Sequence, residues 1–114
     1  FGFGTDAAPW LPQPEHWAGL TAARQDGDPA STLNLYRSAL HLRRRRPEFR
    51  SEEFAWHALD SGDVLAFTRG GAIACVVNFG EEPVELPAGD VLVASVSLDG
   101  RVLPSDAAAW VDLA

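Results

Sequence analysis

The sequence contains no Lys, no Met and a single Cys, Cys75. One Cys can form neither an intrachain disulfide nor a Cys-based zinc cluster, so the sequence does not encode a redox compartment. No apolar run approaches the roughly 18 residues that a membrane-spanning helix needs, and no membrane partner is expected. The absent initial Met favours a piece of a longer protein. The 46% hydrophobic content is typical of a soluble globular domain.

Positive charge is scarce in the second half of the chain. Residues 1–50 contain seven Arg and five acids, whereas residues 51–114 contain two Arg and eleven acids. The acidic half argues against nucleic acid and anionic membranes as partners, because both need a basic surface. The run Arg43–Arg46 is the exception, and basic side chains are favourable at the end of a helix. The use of Arg without Lys indicates a high-GC bacterial gene.

Residues 1–29 show no sustained periodicity, and the pattern predicts a long irregular loop. Such a loop is uncommon in a compact domain unless it is functional or a linker. Its aromatic residues, among them Trp10 and Trp17, are too apolar for a solvated linker. We expect them to pack against another part of a larger protein.

The clearest helix is predicted over residues 28–46. Asp28 and Pro29 suit its start, and Pro47 ends it, because the residue before a proline disfavours the helical conformation. Apolar residues spread over about half of its circumference, which indicates a large packing partner. We assign structural roles to Tyr36 and to Arg43, which projects into the apolar half and is predicted to be paired in the intact protein.

From residue 53 the apolar period changes to two, and turn signals separate short segments. Arg69-Gly70-Gly71-Ala72 predicts a tight hairpin. The fold class is therefore mostly β: an antiparallel β-sandwich or Greek-key unit preceded by one amphipathic helix and an irregular loop. The predicted strands lie near Phe54–Leu59, Val64–Arg69, Ala72–Phe79, Val84–Leu86, Val91–Ser97 and Ala109–Leu113.

No catalytic motif stands out. Gly2–Ala7 has the letters of a dinucleotide fingerprint, but no strand precedes it and Pro9 follows, so no cofactor is expected. The acid pairs Glu52-Glu53 and Glu81-Glu82 fit a solvated rim better than a glycosidase pair, which must share a pocket. The three His residues have no metal-like spacing, and Cys75 is interpreted as a small core residue.

Several segments occur in a familiar order. The combination resembles the end of an α-glucosidase of the α-amylase superfamily, in particular the bacterial oligo-1,6-glucosidase and maltase-like branch. The resemblance covers nearly the whole chain, and the combination is more specific than any one motif. The matching segments are Phe1-Gly2-Phe3-Gly4, Ala8-Pro9-Trp10-Leu11-Pro12-Gln13-Pro14, Gln25, Asp28-Pro29-Ala30-Ser31-Thr32-Leu33-Asn34-Leu35-Tyr36-Arg37, Leu40, Leu42-Arg43 and Val76-Val77-Asn78-Phe79.

The resemblance implies a (β/α)₈ barrel followed by a C-terminal antiparallel β domain. Residues 1–50 would then be the loop after the last barrel strand plus the last barrel helix, and residues 51–114 the β domain. The loop would lie on the face where barrel active sites form, with Phe3, Asp6 and Trp10 near the sugar-binding entrance. The family's catalytic Asp, Glu and Asp lie on earlier strands and none can be assigned here.

The resemblance therefore implies a fragment of a secreted or cytoplasmic bacterial enzyme, with the cytoplasm preferred. The fragment would be inactive alone, with the rest of the barrel as its partner and an α-glucoside as the substrate of the parent. The alternatives are a free-standing carbohydrate-binding module, in which Trp56 or Trp110 stacks on a sugar, and a structural β-sandwich module without a ligand.

Overall fold

The structure is a computed structural model that describes residues 11–59 and 62–113. Helical elements come first and strands follow. The helical elements are a 3₁₀ helix at Glu15–Leu20, α1 at Ala22–Asp26, α2 at Thr32–Arg45 and a second 3₁₀ helix at Pro47–Arg50. The strands are β1 (Phe54–Trp56), β2 (Val64–Arg69), β3 (Ile73–Asn78), β4 (Val84–Glu85), β5 (Asp90–Ala94), β6 (Val102–Leu103) and β7 (Ala107–Asp112).

Five strands form one antiparallel sheet in the order β1-β2-β3-β7-β5, and β4 pairs with β6 in a second, two-stranded sheet. After β3 the chain alternates between the two sheets, and β7 enters between β3 and β5. The predicted antiparallel sandwich is confirmed. The two-residue strand β6 was missed, because two residues are too few to show a period of two.

The core lies between the two sheets. Cross-strand partners lie on the same face of a sheet, so one row contains Ala66, Val76 and Ala109. We call this face the inner face. Leu86 and Leu103 cover it from the β4–β6 side. Burying these side chains supplies the main driving force for folding this part of the chain.

The opposite, outer face of the sheet carries an aromatic row. Trp56, Phe67, Cys75 and Trp110 are successive cross-strand partners on β1, β2, β3 and β7. Phe49 packs edge-on against Trp110, with ring centroids 4.7 Å apart. The β7 side of the outer face is therefore covered by the helical segment.

The hairpin predicted at residues 69–72 is present between β2 and β3. Gly70 and Gly71 have φ angles of 56° and 65°, in the left-handed region that glycine adopts readily, and Arg69 pairs with Ile73 across the turn. The amide of Ala72 donates to the Arg69 carbonyl at 3.3 Å. The two glycines thus fix the register in which β2 and β3 pair.

Helix α2 begins later than predicted. The Ser31 hydroxyl accepts a hydrogen bond from the Asn34 amide at 3.3 Å, which makes Ser31 the cap. Asp28 instead accepts from the Ala30 amide at 2.9 Å, so its side chain forms a local turn before the helix. The predicted cap Asp28 is therefore wrong by three positions, because the Ser31 hydroxyl is the group that meets the first free amides of the helix.

The prediction of a wholly irregular first segment is wrong for residues 15–26. This part contains the first 3₁₀ helix and α1, each only five or six residues long. Helices of one or two turns are too short to show an apolar period, and they depend on contacts rather than on propensity.

Candidate functional site

The short helices before α2 are held by the side chain and carbonyl of Gln25. Its Nε2 donates to the Leu20 carbonyl at 2.6 Å, and its Oε1 accepts from the Leu33 amide at 3.0 Å. The Ser31 hydroxyl donates to the Gln25 carbonyl at 2.7 Å. One residue thus satisfies groups at the end of one helix and at the beginning of another.

Asn34 completes this polar network. Its Nδ2 lies within hydrogen-bond distance of the carbonyl oxygens of Gln25, Asp26 and Asp28, at 3.0, 3.1 and 2.8 Å. The sequence pattern contained both Gln25 and Asn34 but gave neither of them a role. Polar bonds, not apolar burial, therefore set the path of the chain into α2.

Helix α2 has two apolar sides. Leu35 and Ala39 face the sheet and line a cavity of about 230 Å³ with Val93 and Trp110. Tyr36 also borders this cavity but is 65% exposed, and Leu40, about 100° further around the helix than Ala39, is 52% exposed. The broad apolar half predicted from the sequence is thus divided between the chain's own sheet and a side that the described residues leave open.

The helical elements before α2 also carry large apolar side chains that are exposed. Trp17 and Leu20 on the first 3₁₀ helix are exposed, and no residue of the four helical elements is buried. Large apolar side chains that cluster on an exposed surface mark an interaction site. The helical segment is therefore the candidate functional surface, and its chemistry is that of a packing interface.

The end of α2 is joined to the sheet by a three-residue ion cluster. Arg46 donates twice to Glu48, from Nε at 3.1 Å and from Nη2 at 3.0 Å. Its Nη1 donates to Asp112 on β7 at 2.6 Å. The bonds to Asp112 and Glu48 raise the pKa of the guanidinium, and the bond from Arg46 lowers the pKa of the Glu48 carboxyl. The cluster fixes how α2 meets the β domain.

Asn78 joins the two sheets. It is fully buried at the end of β3, and its Nδ2 lies near the carbonyl oxygens of Glu82, Leu103 and Pro104 at 2.9, 3.3 and 3.1 Å. Its Oδ1 accepts from the Gly80 amide at 2.9 Å. Asn disfavours strands, which was the available signal for a special role here.

The two candidate sugar-stacking Trp residues have different surroundings. Trp110 packs against Phe49 and Phe67. Trp56 is 71% exposed at the edge of the sheet, beside a cavity of about 560 Å³. Of these two Trp residues, Trp56 alone keeps most of its ring exposed.

The remaining predicted residues are placed as follows. Phe3, Asp6 and Trp10 lie outside the described residues. Arg43 is exposed and has no ion pair to the described residues, whereas its neighbour Arg46 is paired. Pairing of Arg43 in the intact protein stays a prediction, as does a structural role for Tyr36.

The two acid pairs and Cys75 have the exposure and burial that the sequence predicts. The pairs Glu52-Glu53 and Glu81-Glu82 are exposed, and Cys75 is buried, where burial raises the pKa of its thiol to about 11. Within residues 11–59 and 62–113 no three His, Cys, Asp or Glu side chains lie close enough together to hold a metal ion. No helix in those ranges combines the length and the apolar character that crossing a membrane requires.

Comparison with known proteins gives this surface a context. The chain is 34% identical over 91 residues to a probable alpha-glucosidase of Rhizobium meliloti (strain 1021), covering 75% of this chain and 16% of that protein. It is 38% identical over 92 residues to a malto-oligosyltrehalose trehalohydrolase of Rhizobium sp. (strain M-11), covering 74% and 15%. The chain thus spans about one sixth of the length of these curated relatives.

The fold occurs in larger enzymes. The crystal structure of the trehalulose synthase MutB from Pseudomonas mesoacidophila MX-45 matches with a TM-score of 0.71 at 28% identity, covering 91% of this chain and 22% of that one. The class of protein is thus a C-terminal β domain, with its preceding helix, of α-amylase-superfamily enzymes. Residues 50–110 match the family described as Domain of unknown function (DUF3459), and the chain belongs to this family. The resemblance to the C-terminal portion of a bacterial α-glucosidase is confirmed.

Proposed function

We propose that the chain is the C-terminal portion of a retaining α-glucosidase. In that enzyme residues 1–50 complete the catalytic barrel, and residues 51–114 form the β domain attached to it. The names of the glycoside-processing relatives support this reaction class. The parent would hydrolyse terminal α-linked glucose through two carboxyl groups and a covalent glycosyl-enzyme intermediate. Both carboxyl groups would come from barrel strands outside this sequence.

The outward side of α2 carries the proposal. Leu40 and most of Tyr36 are exposed, although Tyr36 borders the cavity that Leu35 lines against the sheet. The last helix of a barrel would have two contact surfaces, because it covers the barrel strands on one side and contacts the next domain on another. The parent barrel is therefore the proposed partner of residues 11–50.

The chain would have no hydrolytic activity alone. Its role would be to close the barrel, to orient the β domain through the Arg46 cluster, and to shape one wall of the pocket. Phe3, Asp6 and Trp10 are proposed to lie near the sugar-binding entrance. A cytoplasmic location is part of the proposal, and fractionation of the source bacterium tests it.

The interface is tested by charging the outward side of α2 in the full-length protein. Leu40→Glu places a carboxylate where the barrel is proposed to pack, and we expect loss of soluble enzyme or at least a tenfold fall in α-glucosidase activity. His41→Glu on the same helix turn is the matched control, because His41 is exposed and polar. Equal activity of the two variants would contradict the proposed interface.

The entrance residues need a separate test. Trp10→Ala in the full-length protein is expected to raise KM for maltose with a smaller change in kcat, because Trp10 is proposed to contact bound sugar and not the reacting atoms. Exposed Leu11, the adjacent residue, provides the control Leu11→Ala. Unchanged KM in both variants would remove Trp10 from the entrance.

A further inference from the structure

Trp56 presents a fixed aromatic surface at one edge of the sheet. Its ring meets Phe54 edge-on with centroids 5.2 Å apart, and Phe54 in turn stacks on Phe67 at 5.2 Å. These contacts hold the indole from one side and leave most of it exposed. A ring held in this way loses little conformational entropy when a ligand stacks on it.

The cavity beside Trp56 has polar as well as apolar walls. Phe79, which is 66% exposed, lies in its lining together with His57 and Asp63. The Asp63 carboxylate is exposed and the His57 imidazole is half-buried, and both residues line the cavity, where a ligand could reach them. The cavity under α2, in contrast, is lined almost wholly by apolar side chains such as Leu35, Val93 and Trp110.

This combination of aromatic and polar lining fits a sugar ring. A pyranose ring has an apolar C–H face that stacks on aromatic rings and an equatorial belt of hydroxyls that seek donors and acceptors. A protein surface of the kind that packs on α2 would not need the exposed carboxylate and the half-buried imidazole. The position also separates the two surfaces, because β1 and β5 are opposite edges of the sheet and α2 lies over β5.

We propose that Trp56 and Phe79, with His57 and Asp63, form a second carbohydrate-binding site for an α-linked glucose oligosaccharide. The indole of Trp56 stacks on one sugar ring, the Phe79 ring contacts a neighbouring unit, and the imidazole and carboxylate bind hydroxyl groups. The aromatic platform stands on the structure alone. The choice of α-linked glucose rests on the proposed function.

The test uses the full-length protein and soluble starch in native affinity gels. A saturating small iminosugar blocks the active site, so the remaining retardation reports a second site. We expect Trp56→Ala and Phe79→Ala to weaken starch binding about tenfold, and Trp56→Tyr to keep most of it, because an aromatic face remains. Val102→Ala is the control: it trims an exposed apolar residue on β6, in the other sheet, and should bind as the wild type does.

The outcomes separate this site from the proposed enzyme activity. Starch binding that survives both alanine substitutions, or is absent from the wild type, overturns the second site. Binding that depends on Trp56 in a protein that does not hydrolyse a p-nitrophenyl α-glucoside supports the second site and overturns the proposed α-glucosidase. Thermal melting of each variant identifies a folding defect, and in that case Trp56→Tyr and Phe79→Ala decide the result.

Discussion

The helical segment and the β domain each order an irregular stretch of chain with one asparagine, but the two asparagines have different surroundings. Asn34 and Asn78 each place Nδ2 near three backbone carbonyls, and each thereby orders an irregular stretch of chain. Asn78 does so in a closed apolar core, whereas Asn34 does so beside exposed Tyr36 and Leu40. The β domain therefore orders its chain around a buried apolar core, while the helical segment is shaped by polar bonds and none of the residues in its four helical elements is buried.

The largest expected effect comes from Asn78→Asp. A carboxylate at this fully buried position would face the carbonyl oxygens of Leu103 and Pro104 with no donor to offer. We expect a loss of about 3–5 kcal/mol in the free energy of unfolding at pH 7, the cost of an uncompensated buried charge. Urea denaturation followed by Trp fluorescence measures it.

Asn34→Asp is the matched control for that substitution. It removes the same amide from a partly exposed network, and a carboxylate in the first turn of α2 gains from the helix dipole. The expected loss is about 1 kcal/mol or less. Equal losses at positions 34 and 78 would mean that burial does not distinguish the two regions.

A second contrast concerns apolar side chains. Leu103→Ala empties a fully buried position between the sheets and should cost about 2–5 kcal/mol. Leu40→Ala should cost less than about 0.5 kcal/mol in the isolated chain, because Leu40 is exposed. In the full-length protein the same change should cost about 1.5–3 kcal/mol if the barrel covers Leu40. A difference of zero between the isolated chain and the full-length protein would refute that cover.

Gly89 and Gly100 in the β domain both have positive φ angles, but they differ in the space that a side chain would find. A Cβ at Gly89, where φ is 132°, would overlap the Asp112 carbonyl oxygen. Gly89→Ala should therefore cost about 2–3 kcal/mol in unfolding free energy. Gly100→Ala is the control: its φ is 61° but no atom lies within 4 Å, so only about 1 kcal/mol of backbone strain is expected. Thermal melting of the two variants compares them.

The smallest effect is a pH dependence at the junction of the two regions. Hydrogen bonds from Arg46 lower the pKa of Glu48 in the folded chain. The ionised carboxylate then stabilises the fold above its unfolded pKa of about 4.3, and this contribution is lost as the pH falls through the lower folded value. Between about pH 6 and about pH 3, urea midpoints should fall less in Glu48→Gln than in the wild type. Parallel curves would show that the cluster does not contribute.

The β architecture was predictable because its signals are local. The period of two and the Gly70-Gly71 turn located β2 and β3 to within a residue or so. The start of β5 was placed one residue late and its end three residues late. A register shift between Val91 and Val93 breaks the alternation, and such a shift is set by the neighbouring strand β7.

The hydrogen bonds of the polar network could not be predicted from the sequence, because they join residues whose spacing shows no pattern. Gln25 and Asn34 are nine residues apart, and nothing in their spacing shows that one will bind the carbonyl of the other. Arg46 likewise pairs with Asp112, which is 66 positions away. The sequence pattern favoured Arg43, three residues before Arg46, as the paired guanidinium. Helical geometry alone does not reveal which guanidinium meets the sheet.

The order of the strands has a consequence for biosynthesis. Within residues 11–59 and 62–113, β5 pairs with β7 alone, and β7 is the last strand in chain order but lies in the interior of the sheet. On a ribosome that adds about 5–20 residues per second, α2 emerges several seconds before residues 107–112. During that interval β3 has a vacant edge and β5 has no neighbour. The five-stranded sheet therefore closes in a single late step, seconds after α2 has left the ribosome.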